Sequence, residues 1–139
     1  MKKFMTLAAS ALIVHSAVAA ATQPLTLDVY NANAGSFGVT STLVYGDTEA
    51  MVIDAGFTKA DALRIAAKVL DSKKELKTIF ISQADPDYYF GAETLHDTFH
   101  KADIITHPAA DKIIEDNLTG KVAFWRPKLG RNASVNPIN

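Results

Sequence analysis

Ser82-Gln83-Ala84-Asp85-Pro86-Asp87-Tyr88-Tyr89-Phe90-Gly91 is the stretch on which the fold turns, because it stands where a strand hands over to a helix. Before it, Thr78-Ile79-Phe80-Ile81 is a short, continuously apolar run, as expected of a strand covered on both faces. After it, Tyr88, Ala92, Leu95 and Phe99 recur at the spacing of one helix face. The carboxyl end of such a strand is where ligand sites collect in α/β sheets. Gln83 and Asp85 are two apart, so in extended chain they project to the same side. Pro86 turns the backbone and Asp87 arrives at the helix start. An amide oxygen and two carboxylates so close together offer ligands for a metal ion. The same residues also make an Asp-Pro-Asp turn with Asp87 as helix cap. Spacing leaves both readings open.

Upstream, Leu25, Leu27 and Val29 alternate with polar residues at the period of a half-buried strand. Phe37, Val39, Leu43 and Tyr45 then share one face of a second strand, and Gly46-Asp47-Thr48-Glu49 turns the chain into Ala50–Ile53, making a hairpin. Thr58 with Asp61 is a capping box, followed by a helical stripe of Leu63, Ala66, Ala67 and Leu70. Downstream, Ala102–Thr106 reads as another buried strand, and Ala110, Ile113, Ile114 and Leu118 as a third helical stripe. From Arg126 to Asn139 there is no periodicity, only Pro127, Gly130, Asn132, Asn136 and Pro137, which reads as a loop. The order is α/β: a β-meander followed by strand–helix units.

The 139 residues, 48% apolar and 21% charged, fit one globular unit. Residues 1–21 begin with Lys2 and Lys3, run apolar through Phe4–Val14 and end in Ala17-Val18-Ala19 and Ala19-Ala20-Ala21. That is the pattern of a cleavable signal peptide and implies export to the periplasm or the medium. Its loss removes two lysines and moves the formal charge from -1 to -3. No basic stripe suggests nucleic acid, and no second apolar run of membrane length follows. The chain has no cysteine, so thiolate ligands and a Cys nucleophile are excluded. His96 and His100 stand at a helical metal-binding spacing but lack a third partner nearby.

From the hairpin onward, over residues 25–110, the sequence resembles the metallo-β-lactamase superfamily of metal-dependent hydrolases. Asp54-Ala55-Gly56 stands where that family carries Asp-x-Gly. Ser82 to Tyr88, with Gly91 behind, matches its Thr-His-x-His-x-Asp-His loop, and His107-Pro108 resembles the continuation. The resemblance implies the amino-terminal half of an αββα sandwich (22–125), with 126–139 a truncated connector and the parent about twice as long. It implies metal ligation by Gln83, Asp85, Asp87 and Tyr88, a catalytic role for Asp87, and Asp54 supporting them from beneath.

Gln83, Asp85 and Tyr88 replace histidines of the pattern, and only Asp87 keeps its type. The family's zinc suits imidazole, whereas these oxygen donors suit manganese, magnesium or calcium. The implied activity is hydrolysis of an ester, lactone or amide bond in a small molecule, with the chain alone expected to be inactive. The other reading is a non-catalytic binding module that retains the fold. One sheet face would be left uncovered, to be met by the missing half or by self-association.

Overall fold

The computed structural model describes residues 23–137, so the signal segment expected at 1–21 lies outside the described residues. Strands β1 (Thr26–Asn31), β2 (Thr40–Tyr45) and β3 (Glu49–Ile53) form the expected meander. Helix α1 (Lys59–Ser72) leads to β4 (Glu75–Ile81), and α2 (Pro86–Tyr89) and α3 (Ala92–Thr98) lead to β5 (Asp103–Thr106). Helix α4 (Pro108–Leu129) and a 3-10 turn at Gly130–Asn132 follow. The five strands lie in sequence order in one sheet, antiparallel from β1 to β3 and parallel from β3 to β5.

Helix α1 begins where Thr58 predicts. Its hydroxyl accepts from the Asp61 amide, and Asp61 accepts in return from the Thr58 amide. The buried stripe is not the expected one: Leu63 and Leu70 are 54% and 62% exposed, and Ala62, Ile65, Ala66 and Val69 face the sheet instead. Both sets have helical period, and Asp61 selects between them. Its carboxylate is buried and accepts 2.6 Å bonds from the hydroxyls of Tyr30, Ser36 and Thr58. This turns the Asp61–Ala62 side of α1 toward the sheet.

Strand β1 alternates as expected, but with the opposite outcome. Asp28 and Tyr30 face α1, bonded to Lys68 at 2.7 Å and to Asp61, while Leu27 and Val29 are 65% and 46% exposed on the far face. Across the sheet, Val29, Thr42, Ile53, Phe80 and Ile105 stand in register as one row of that face. The run from Thr78 to Ile81 is therefore covered on one side only, by Ile79 and Ile81 beneath the helices.

A single helix from Tyr88 to Phe99 is also corrected. The chain breaks at Gly91, which shifts the helical phase and sends Tyr89 and Phe90, rather than Tyr88, into the core. A Cβ at Gly91 would lie 2.1 Å from the Ala55 carbonyl oxygen and 3.0 Å from the Ala62 Cβ. Backbone bonds zip the two segments: Ala55 N–H donates to Tyr88 O at 2.7 Å, and Gly91 N–H to Gly56 O at 2.9 Å.

The loop expected from Arg126 is helix as far as Leu129. Its stripe of Ile114, Leu118, Val122, Trp125 and Leu129 packs on the core, diluted in sequence by exposed apolar residues such as Ile113 and Phe124. The following turn is tied down. Asn132 Oδ1 accepts from the Ala60 amide at 2.8 Å, and Glu93 accepts from the Ser134 hydroxyl and the Val135 amide.

Candidate active site at the mouth of strand β4

The chain leaves β4 at Ile81 and crosses to α2 through Ser82–Asp85. Asp54, at the equivalent end of β3, holds the start of this crossing. Its two carboxylate oxygens accept from the Ser82 amide and the Ser82 hydroxyl, each at 2.8 Å. Asp54 sits at φ 65, the left-handed region, and Gly56 at φ 81. Only glycine takes that conformation without strain, so the cost at Asp54 is offset by its bonds to Ser82.

Burial raises the Asp54 carboxyl above its ordinary range and the charge of Asp87 adds to this, against the lowering effect of the Ser82 bonds. Asp87 is likewise raised, by burial first and by the charge of Asp85, while its own amide and Lys121 pull the other way. Tyr89 is pushed up to about 12, by burial and by Asp85, and its buried hydroxyl has no hydrogen-bond partner. Burial is the first cause of all three shifts, and the charges of Asp85 and Asp87 add to it.

Gln83 and Asp85 are exposed, and Asp87 and Tyr88 are half-buried. Asp85 lies 3.7 Å from Lys121 Nζ of α4. Asp85 and Asp87 line a cleft of about 270 Å³, together with Pro86, Lys121 and the rings of Phe37, Phe57 and Trp125. Gln83 and Tyr88 are not among its walls. The rings form one cluster: Trp125 stands edge-on to Phe57 at 5.1 Å, and Phe37 is 5.4 Å from Phe57. Phe37 has φ 59 at the end of the Ala34–Ser36 turn and is 58% exposed. Phe37 thus forms one wall of the cleft from a sparsely populated backbone conformation. Sequence reasoning missed Lys121 and Phe37; the spacing of Lys121 and Trp125, one helical turn apart, was the available signal.

His107 lies outside this cleft and caps α4, its Nδ1 accepting from the Ala109 amide at 3.2 Å. His96 and His100 are exposed, with ring centroids 6.3 Å apart. Among the described residues, no three His, Asp or Glu side chains are grouped so as to hold a metal ion. Also among them, no helix is long and apolar enough to cross a membrane.

In fold, the chain is similar to the metallo-beta-lactamase from Hirschia baltica, at 12% identity and a TM-score of 0.54, over 68% of this chain and 48% of that one. It is also similar to the metallo-beta-lactamase FIM-1 from Pseudomonas aeruginosa in its mono-zinc form, at 16% identity and a TM-score of 0.51, over 70% and 44%. The chain therefore spans about half the length of these solved structures. No curated protein matches it. The model of the metallo-beta-lactamase superfamily matches residues 34–125, which include Asp54, the Ser82–Gly91 loop and Trp125, and the chain belongs to that superfamily.

Proposed function

We propose that this chain contributes the acidic loop and the aromatic cleft wall of a metal-dependent hydrolase acting on ester, lactone or amide bonds of small exported or extracellular molecules. The observation that carries this reading is the pairing of Asp85 and Asp87 along one wall of a cleft whose other walls are Phe37, Phe57 and Trp125. The neighbouring charge of Asp85 adds to the burial that raises the Asp87 carboxyl, and a cation placed beside the two would relieve that smaller contribution.

The donor set fits a divalent ion only in part. Gln83, Asp85 and Asp87 offer oxygens suited to manganese, magnesium or calcium rather than the imidazoles that zinc prefers. The described residues do not close three acidic or histidine ligands around one point. An ion bound there would polarise a carbonyl, and its remaining ligands would come from outside these residues. The chain's own groups act around it. Asp54 fixes Ser82 and so the exit of β4. Lys121 orients Asp85, and the aromatic rings receive the apolar part of a substrate and exclude water from it.

Manganese binding followed by electron paramagnetic resonance tests the reading. We expect wild type to bind Mn²⁺ and Asp87→Asn to lose at least about tenfold in affinity, the equivalent of ~1.4 kcal/mol. No ion retained after dialysis against manganese, magnesium and zinc sinks the metal-dependent reading. Trp125 fluorescence that still responds to apolar carboxylic esters would then favour the non-catalytic binding module.

A further inference from the structure

At the opposite end of β4 from the candidate active site lies a second cavity, of about 400 Å³. The strand's 7 residues, at about 3.3 Å each, set the two roughly 20 Å apart. The floor of this cavity is apolar: Leu76 is 3% exposed, and Phe99 packs half-buried against the core. Its rim is basic, with Lys74 just before β4 and His100 and Lys101 in the turn before β5. Lys74 Nζ donates to the Asp47 carbonyl oxygen at 2.7 Å, which engages one of its three N–H groups. Lys101 forms no ion pair with any described residue. The acid in the wall, Glu75, is bound by Lys77 at 2.8 Å. That bond, and more weakly the charge of Lys101, holds the Glu75 carboxyl below its ordinary range.

Helices α1 and α3 both end beside this cavity, at Ser72 and Thr98, and basic residues near helix C-termini ordinarily answer the helix dipoles. Each end carries at most about half a negative charge, so the two together match one ammonium group. Lys74 and Lys101 supply two, and Glu75 is already matched by Lys77. About one positive charge is left above an apolar floor. We propose that this cavity binds a small carboxylic acid with an apolar body, its carboxylate between Lys74 and Lys101 and its hydrocarbon on Leu76 and Phe99. Ammonium groups donate to a carboxylate in charge-assisted bonds, and the hydrocarbon removes the floor from water. A bare inorganic anion leaves that floor wet, and a neutral ligand leaves the charge unanswered. The volume is that of a site for a small organic molecule. The inference is independent of the hydrolase reading, since none of the residues around this cavity lines the cleft at Asp85 and Asp87.

Titration of the isotope-labelled full chain with 3-phenylpropanoate, followed by nuclear magnetic resonance, tests it. For a ligand of about eleven non-hydrogen atoms we expect a dissociation constant on the order of 0.1–1 mM. Amide shifts should centre on Lys74–Leu76 and Thr98–Ala102. The uncharged 3-phenylpropanamide should bind at least about tenfold more weakly, and inorganic phosphate at equal concentration should not displace the acid. Lys101→Gln, at an exposed position, should weaken binding at least about fivefold with the circular dichroism unchanged. Lys112→Gln, exposed on α4 and paired with Asp116, should leave it unaltered. Equal affinity for acid and amide overturns the proposal, as does displacement by phosphate, since either shows that one of the two ends is not recognised. An unchanged constant in Lys101→Gln, or shifts confined to Asp85–Asp87 and Trp125, overturns it equally by placing the acid elsewhere. Absence of binding up to about 20 mM, well above the expected constant, ends it while leaving the manganese experiment at the cleft untouched.

Discussion

Gly91→Ala sets two opposed effects against each other. Gly91 has φ -72, which any residue adopts, and replacing glycine by alanine at such a position ordinarily stabilises by ~0.4–1 kcal/mol through the unfolded chain. Here the new Cβ would lie 2.1 Å from Ala55 O and 2.9 Å from Ala55 C, both backbone atoms of a turn that cannot swing aside. Relief requires separating the Asp54–Gly56 turn from α2 and α3. Overpacking of this kind costs ~1–3 kcal/mol, and the Ala55–Tyr88 and Gly91–Gly56 bonds would add about 1 kcal/mol each if lost. The sterics win: a net loss of about 2–4 kcal/mol is expected, out of a total stability on the order of 5–15 kcal/mol. Urea unfolding followed by circular dichroism measures it. Gly120→Ala is the internal control, lying in α4 with nothing within 4 Å of its added Cβ, and should stabilise by ~0.5–1 kcal/mol. If Gly91→Ala falls within about 0.5 kcal/mol of wild type, the contact between Gly91 and the Asp54–Gly56 turn is not rigid.

Asp61 contributes in the opposite pH direction from Asp87. Burial works to raise the Asp61 carboxyl, but its bonds from Ser36, Thr58 and Tyr30 outweigh this and hold it below 3.8; its stabilisation is complete above that value and is lost as pH falls through the lowered one. Asp61→Asn should therefore cost about 2–4 kcal/mol at pH 7, with a smaller difference from wild type in urea titrations at the most acid pH the fold survives. The raised carboxyl of Asp87 means that the native state holds its proton more tightly than the unfolded chain does. Wild-type stability should then gain as pH falls from the raised value toward 3.8, and Asp87→Asn should unfold at higher temperature than wild type at pH 7 but not at pH 3. Phe37→Ala removes a ring that is 58% exposed and should shift the melting temperature little, while weakening the quenching of Trp125 by apolar esters several-fold. Equal quenching would remove Phe37 from the cleft wall.

The strand and helix order, the hairpin, the start of α1 and the loop after β4 could all be read from the chain, because each rests on interactions between residues close in sequence. Hydrophobic period marks an element, and Thr58 with Asp61 closes its cap within one turn. Periodicity does not say which of two candidate faces is buried. For α1 that was decided by Tyr30 and Ser36, far away in sequence, which bind Asp61 and turn Ala62 rather than Leu63 inward. For β1 it was decided by α1 lying on the Tyr30 side, which leaves Leu27 and Val29 outside.

The candidate site divides in the same way. Asp54 and the residues from Gln83 to Tyr88 were marked by local pattern and by resemblance. Local pattern did not disclose that Asp54 would grip Ser82, that Lys121 would come within 3.7 Å of Asp85, or that Phe37, Phe57 and Trp125 would meet in one wall. The sequence by itself therefore determined which segments become strands and helices and where acidic groups gather. Tertiary structure alone decided which faces meet water and which side chains share the cleft, because burial and electrostatic coupling are set by distances between segments that the chain brings together only on folding.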